Sequence, residues 1–155
     1  MAAPNPRTVP WLAALFVVVC TLAAFLNSLD GEFLMDDHSE IIDNPLMDSL
    51  WPPWRVMFIG YGLPSRPLPY LTFAIDHSLW GTRPFGYHVT NLAIHVAAAL
   101  SLFVLARNTL SSPRLRDTCG SHDTFLAALI AGLWAVHPLN TQAVTYIYQR
   151  LESLA

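Results

Sequence analysis

The sequence predicts an all-α, polytopic transmembrane fold with a large first outer loop, and three observations lead there. Of 155 residues, 54% are apolar and only 12% are charged, against roughly 25% charged in ordinary soluble domains. The apolar residues gather in runs long enough to approach the thickness of a bilayer. The acids and prolines gather between those runs. Eight arginines, no lysine and eleven acids give a net charge of −3, the opposite of the polar, highly charged balance of a disordered tail. No nucleic-acid partner is expected without a basic excess. Two cysteines, Cys20 and Cys119, do not make a secreted disulfide framework.

Residues 1–8 read as a cytoplasmic N-terminus and 9–27 as the first transmembrane helix. Val9 to Leu26 is an uncharged run of 18 residues, about 27 Å as a helix. Pro10 falls in its first turn, where a missing N–H costs nothing. A secretory signal peptide is the rival reading, but no small-residue cleavage site follows closely. The second span is 87–106, YHVTNLAIHVAAALSLFVLA, uncharged if its histidines are neutral. The third, 123–140, meets His137-Pro138, where Pro138 would clash with the carbonyl of Trp134, so a bend or break is expected there. From 141 to 155 an amphipathic helix is expected to begin. Val144, Ile147, Tyr148, Leu151 and Ala155 would share one face, with Gln142, Thr145, Gln149, Glu152 and Ser153 on the other. With no stop signal after it, the chain reads as the beginning of a longer membrane protein.

Orientation follows from arginine placement. The 107–122 link carries Arg107, Arg114 and Arg116, whereas 29–65 carries seven acids and Arg55 alone. The excess of arginine on the cytoplasmic side puts the 28–86 loop on the periplasmic, outer or lumenal side. Cys20 would then lie in the bilayer and Cys119 in the cytoplasm, unable to pair.

The 28–86 loop is too long for a plain connector. Six of the twelve prolines lie between Pro45 and Pro69, alternating with Trp51, Trp54, Phe58 and Tyr61. Amphipathic rings of this kind favour the headgroup level, and Tyr70–Trp80 predicts a short interfacial helix. Within the loop, Asp36 and Asp37 are adjacent carboxylates flanked by apolar residues. Facing one pocket, they would repel, and the pKa of one would rise, a setting suited to a general base. The alternative is that they cap a turn or helix start. His38 beside them leaves a divalent cation at Asp36 and Asp37 open, though one imidazole and two carboxylates do not specify a geometry.

Arg66, Arg83 and Arg150, with Arg55, are the outer-side guanidinium groups that could pair with a phosphate; snorkelling or surface ion pairing is the alternative. His88, Asn91 and His95 share one face of the second span and read first as interhelical hydrogen-bonding groups. His137 could line an outer-facing cavity, with Gln149, Arg150 and Glu152 entering from the following segment. No glycine-rich phosphate loop, Walker motif, CxxC pair or HExxH occurs.

Three blocks, FLMDDHSEIIDNP, RPLPYLTFAIDHSLWGTRPFGYHVTNLAIH and AVHPLNTQAVTYIYQRLESLA, occur in an order that resembles a known family. They are similar to the amino-terminal region of bacterial multi-pass proteins with tetratricopeptide repeats, and to the eukaryotic transmembrane and tetratricopeptide-repeat O-mannosyltransferases. That resemblance implies the N-terminal part of a GT-C-like membrane fold. It also implies a glycosyltransferase that takes sugar from a polyprenyl-phosphate carrier to an acceptor hydroxyl, on protein in the eukaryotic members, with inversion. Asp36 and Asp37 match the acidic motif, Arg66-Pro67 an Arg-Pro before the juxtamembrane segment, His88, Asn91 and His95 a polar stripe, and His137-Pro138 a His-Pro block. Gln142 stands where eukaryotic members often have Glu, and Gln149-Arg150-Leu151-Glu152-Ser153 replaces their Gly-Arg-Ala-Asp; both departures favour the bacterial branch and an inner-membrane location. Asp36 and Asp37 are thereby the catalytic candidates, Arg66 and Arg150 the lipid-phosphate ligands, and His88, Asn91, His95, His137, Gln149 and Glu152 secondary candidates. Three spans cannot close such a site, so these residues alone are expected to be inactive. A non-enzymatic anchor for a repeat domain and a lipid-linked sugar transporter are the competing functions.

Overall fold

The computed structural model describes residues 9–58, 66–115 and 122–154; the expected N-terminal segment 1–8 and Tyr61, Arg116, Cys119 and Ala155 lie outside them. Helix is the dominant regular element, and no strand occurs among the described residues. The helices are α1 (Val9–Phe25), α2 (Pro53–Phe58), α3 (Pro67–Trp80), α4 (Pro84–Leu110), α5 (Asp123–Ala135), α6 (Thr141–Thr145) and α7 (Arg150–Ser153). Among the described residues two stretches are long and apolar enough to cross a membrane, Pro10–Asp30 and Pro84–Leu110. Asp123–Ala135 with Pro138–Thr145 would make a third if they form one broken span.

The chain divides into two compact units. The first comprises residues 1–26 and 94–140. Its core is Val17, Ala99, Phe103, Ala127, Ala128, Ala131 and Ala135, and the small side chains let α1 and α5 approach closely, as apolar helices do where water supplies no driving force. Outward-facing Trp11, Leu15, Phe16, Phe125 and Leu133 are exposed, the surface expected of helices solvated by lipid. α5 ends at Ala135 because Pro138 cannot donate to the carbonyl of Trp134. That carbonyl instead accepts from His137 N–H at 3.2 Å and from the Asn140 side-chain amide.

The second unit comprises residues 27–93 and 141–155. Its core is larger-chained: Ile41, Met47, Val56, Tyr70, Phe73, Ala74, Tyr87, Ile147 and Leu151. α3 opens on Pro67, whose fixed φ suits a first helical turn, and closes at Gly81, where φ is +59° and glycine has no steric penalty. The Gly81 carbonyl then accepts from the Tyr87 hydroxyl at 3.0 Å. α4 starts at Pro84 rather than Tyr87 and reaches Leu110 rather than Ala106; charge placed the predicted edges, and backbone bonding carries the helix past them.

The amphipathic helix expected from residue 141 onward is not continuous. Tyr146 adopts an extended conformation (φ −95°, ψ 115°) between α6 and a short 3-10 turn, Ile147–Gln149, that leads into α7. The predicted apolar face survives in Val144, Ile147 and Leu151, but Arg150 is buried with them. Polar pairing overrides the periodic pattern at that position.

Candidate functional site

The acidic pair sits where the chain leaves a positive-φ residue, Met35 (φ +41°), and enters a wide helical turn, His38–Ile42. Its two carboxylates have different surroundings. Asp37 is 1% exposed. Its Oδ2 accepts from Leu34 N–H at 2.9 Å and its Oδ1 from Tyr148 N–H at 2.8 Å. Burial pushes the Asp37 carboxyl above the usual carboxylate range, with the two N–H bonds and His38 opposing that shift and Asp36 adding to it. Asp36 is exposed, and its Oδ2 accepts from the Tyr146 hydroxyl at 3.0 Å.

Asp36 opens on a cleft of about 210 Å³ lined also by Arg66, Tyr70, Tyr146, Tyr148, Gln149 and Glu152. Arg66 enters from the residue before α3. Its Nη1 donates to Glu152 Oε1 at 2.6 Å and to the Leu151 carbonyl at 2.9 Å. Tyr70 donates to Glu40 Oε2 at 3.2 Å. Burial is the first cause holding the Tyr70, Tyr146 and Tyr148 phenols above their ordinary range, so at neutral pH each is a hydrogen-bond donor rather than a phenolate. The cleft therefore offers the Asp36 carboxylate, the Arg66–Glu152 ion pair and three hydroxyl-bearing rings.

Arg150 does not line this cleft. It is 0% exposed, and four of its five N–H donors are engaged inside the unit. Nε donates to Asn91 Oδ1 at 2.6 Å, Nη1 to Asp76 Oδ2 at 2.7 Å and Thr72 Oγ1 at 3.2 Å, and Nη2 to the Tyr87 carbonyl at 2.9 Å. The guanidinium also lies 4.6 Å from the Phe73 ring centre, a cation–π distance. Desolvation lowers the Arg150 pKa, and the charge of Asp76 opposes the shift. Asp76 in turn accepts from Thr90 at 2.7 Å. Arg150, the expected phosphate ligand, thus directs four of its donors to Asn91, Asp76, Thr72 and the Tyr87 carbonyl.

The remaining candidates separate likewise. Asn91 donates to the carbonyls of Val144 (3.4 Å) and Tyr146 (3.3 Å). His88 is fully buried against Gly31, where an added Cβ would lie 2.7 Å from Nε2. In the first unit, His95 Nε2 is 2.9 Å from the Ala135 carbonyl, with Phe25 edge-on to its ring. His137 is exposed, and its Nδ1 accepts from Leu139 N–H at 3.2 Å. Gln149 and Glu152 line the cleft. No group of three or more His, Cys, Asp or Glu side chains able to hold a metal ion occurs among the described residues.

Sequence reasoning missed Asp76, Tyr146 and Tyr148. Asp76 carried a usable signal, being the one acid inside the apolar stretch PLPYLTFAIDHSLW, where a buried charge demands a partner. The tyrosines carried none, because their roles depend on the break at Tyr146.

The described residues thus combine a tyrosine-lined cleft bearing Asp36, Arg66 and Glu152 with two apolar helices long enough to cross a membrane. The chain is similar to protein O-mannosyl-transferases. It is 33% identical to TMTC4 of Mus musculus over 94% of this chain and 21% of that protein. It is 32% identical to TMTC1 of Mus musculus over 98% of this chain and 16% of that one. With the protein O-mannosyl-transferase F38B6.6 of Caenorhabditis elegans, identity is 29% over 90% of this chain and 21% of that protein. The chain thus spans about a sixth to a fifth of the length of these relatives. No family model and no solved structure matches it.

Proposed function

We propose that this chain forms the amino-terminal part of a membrane glycosyltransferase of the GT-C class, moving a sugar from a polyprenyl-phosphate carrier to an acceptor hydroxyl on the periplasmic or lumenal face. The observation that carries this reading is the meeting of Asp36 and Arg66 in one cleft, supported by the similarity to O-mannosyl-transferases. A lipid phosphate is already a good leaving group, so no general acid is needed. Asp36 takes the proton of the acceptor hydroxyl, and the acceptor oxygen attacks the anomeric carbon. The bond from that carbon to the phosphate oxygen breaks, and Arg66 steadies the charge on the departing phosphate by charge-assisted hydrogen bonds. One displacement gives inversion. Glu152 is the ion-pair partner that the phosphate replaces on Arg66.

Asp37 and Arg150 are assigned to holding the walls of the cleft rather than to touching substrate. The exposed rings of Trp51, Trp54 and Phe58 suit the headgroup layer, which would keep the cleft near a lipid phosphate. A bacterial inner membrane is the proposed location. The names of the relatives supply a mannose donor and a protein hydroxyl as the first pair to try.

The test is transfer by the full-length protein, incubated in membranes with a panel of radiolabelled polyprenyl-phosphate sugars. Asp36→Asn is expected to lower transfer by about 10²-fold or more while membrane insertion is unchanged. Full transfer by Asp36→Asn would remove the proposed base.

A further inference from the structure

We infer that Tyr146 is a positioning residue for Asp36, its phenol holding the carboxylate in the orientation from which it takes the acceptor proton. The inference rests on the proposed role of Asp36 and adds a residue to it.

The local backbone is arranged around this contact. The apolar periodicity after residue 141 favours one continuous helix, yet the chain breaks at Tyr146 and turns extended. Two hydrogen bonds hold the break. The Tyr146 carbonyl accepts from Asn91 at 3.3 Å, and Tyr148 N–H donates to Asp37 at 2.8 Å. Asn91 is itself held by Arg150 at 2.6 Å. One carboxylate of the acidic pair therefore fixes the backbone two residues beyond Tyr146, and the ring of Tyr146 returns to the other carboxylate at 3.0 Å. A free carboxylate on an exposed turn samples several rotamers, and a hydrogen bond to one oxygen restricts them. With Oδ2 occupied by the phenol, Oδ1 is the oxygen left to accept a proton. Among the described residues no other side chain is hydrogen-bonded to the Asp36 carboxylate; Arg66 is engaged by Glu152 and Tyr70 by Glu40.

The test uses Tyr146→Phe in the full-length protein, a change that keeps the ring and removes only the hydroxyl. Carboxylates are coupled to an amine with a water-soluble carbodiimide and quantified by mass spectrometry. Glu152, in the same cleft, serves as the internal reference, so a general loosening cancels. The Asp36-to-Glu152 labelling ratio is expected to rise about threefold or more. In the transfer assay, kcat is expected to fall about tenfold while KM for the lipid donor stays unchanged, because the phosphate is held by Arg66. An unchanged labelling ratio overturns the inference whatever transfer does. A raised ratio with wild-type kcat overturns it too, leaving the Asp36 base intact if Asp36→Asn is inactive. Transfer retained by Asp36→Asn overturns both the base and the role given to Tyr146, and a raised ratio would then locate the fault in the base rather than in the contact.

Discussion

The two units of this chain solve the burial problem with different materials. In the first, the core is chiefly alanine with Val17 and Phe103, and the largest side chains point outward. In the second, tyrosine, phenylalanine and isoleucine fill the core around a buried arginine and aspartate with 0% and 5% side-chain exposure. Backbone hydrogen bonds within the helices satisfy most of the first unit, so close approach of smooth surfaces is enough to hold it. In the second, short helices and turns expose carbonyls and N–H groups at their ends, and Asp37 and Asn91 supply missing partners. The chemical groups collect in the second unit because that is where backbone irregularity calls for polar side chains.

Substitutions can break or sharpen that contrast. The largest effect is expected from Arg150→Met, which strands Asp76 as an unpaired buried charge. A loss of about 3–5 kcal/mol is expected, read as a fall in thermal midpoint of the purified full-length protein. Arg150→Met with Asp76→Leu should recover more than half of it, since the penalty lies in the unpaired charge. In the first unit the corresponding disruption is steric. Ala131→Leu, at a position with 0% exposure, should cost about 1–3 kcal/mol by overpacking, with no pH dependence of its own.

The smallest effect, and the sharpest in kind, concerns Asp37. Burial raises its folded-state pKa above the ordinary carboxylate range, so the folded chain binds that proton more tightly than the unfolded chain does. The stability this provides is fully present below the ordinary range and is lost as pH rises through the raised value. Asp37→Asn should flatten that part of the stability profile at a cost of about 1 kcal/mol from one mismatched N–H bond. A midpoint that falls equally with pH in both proteins would remove Asp37 as the cause.

Much of the helix layout was legible. The run Val9–Leu26 and the helix Val9–Phe25 nearly coincide, because an uncharged stretch can satisfy its backbone only within itself. Pro138 marked the end of α5 for a reason confined to one turn of chain. The 141–155 stretch was misread as one helix because periodicity reports which residues prefer burial and says nothing of a hydrogen bond from Asn91 to a carbonyl 55 positions away. The burial of Arg150 is illegible in the sequence for the same reason: its partners Thr72, Asp76 and Asn91 are remote along the chain.

The sequence alone determined the apolar helices, the proline breaks and the presence of two neighbouring carboxylates, all of which follow from residue type and short-range spacing. Only the tertiary structure distinguished those carboxylates. Asp36 meets the Tyr146 hydroxyl and Asp37 the Tyr148 amide, partners 110 and 111 positions along the chain. Adjacent residues of one kind differ in exposure and in hydrogen-bond partners through what folds against them, and that is set by distant parts of the chain.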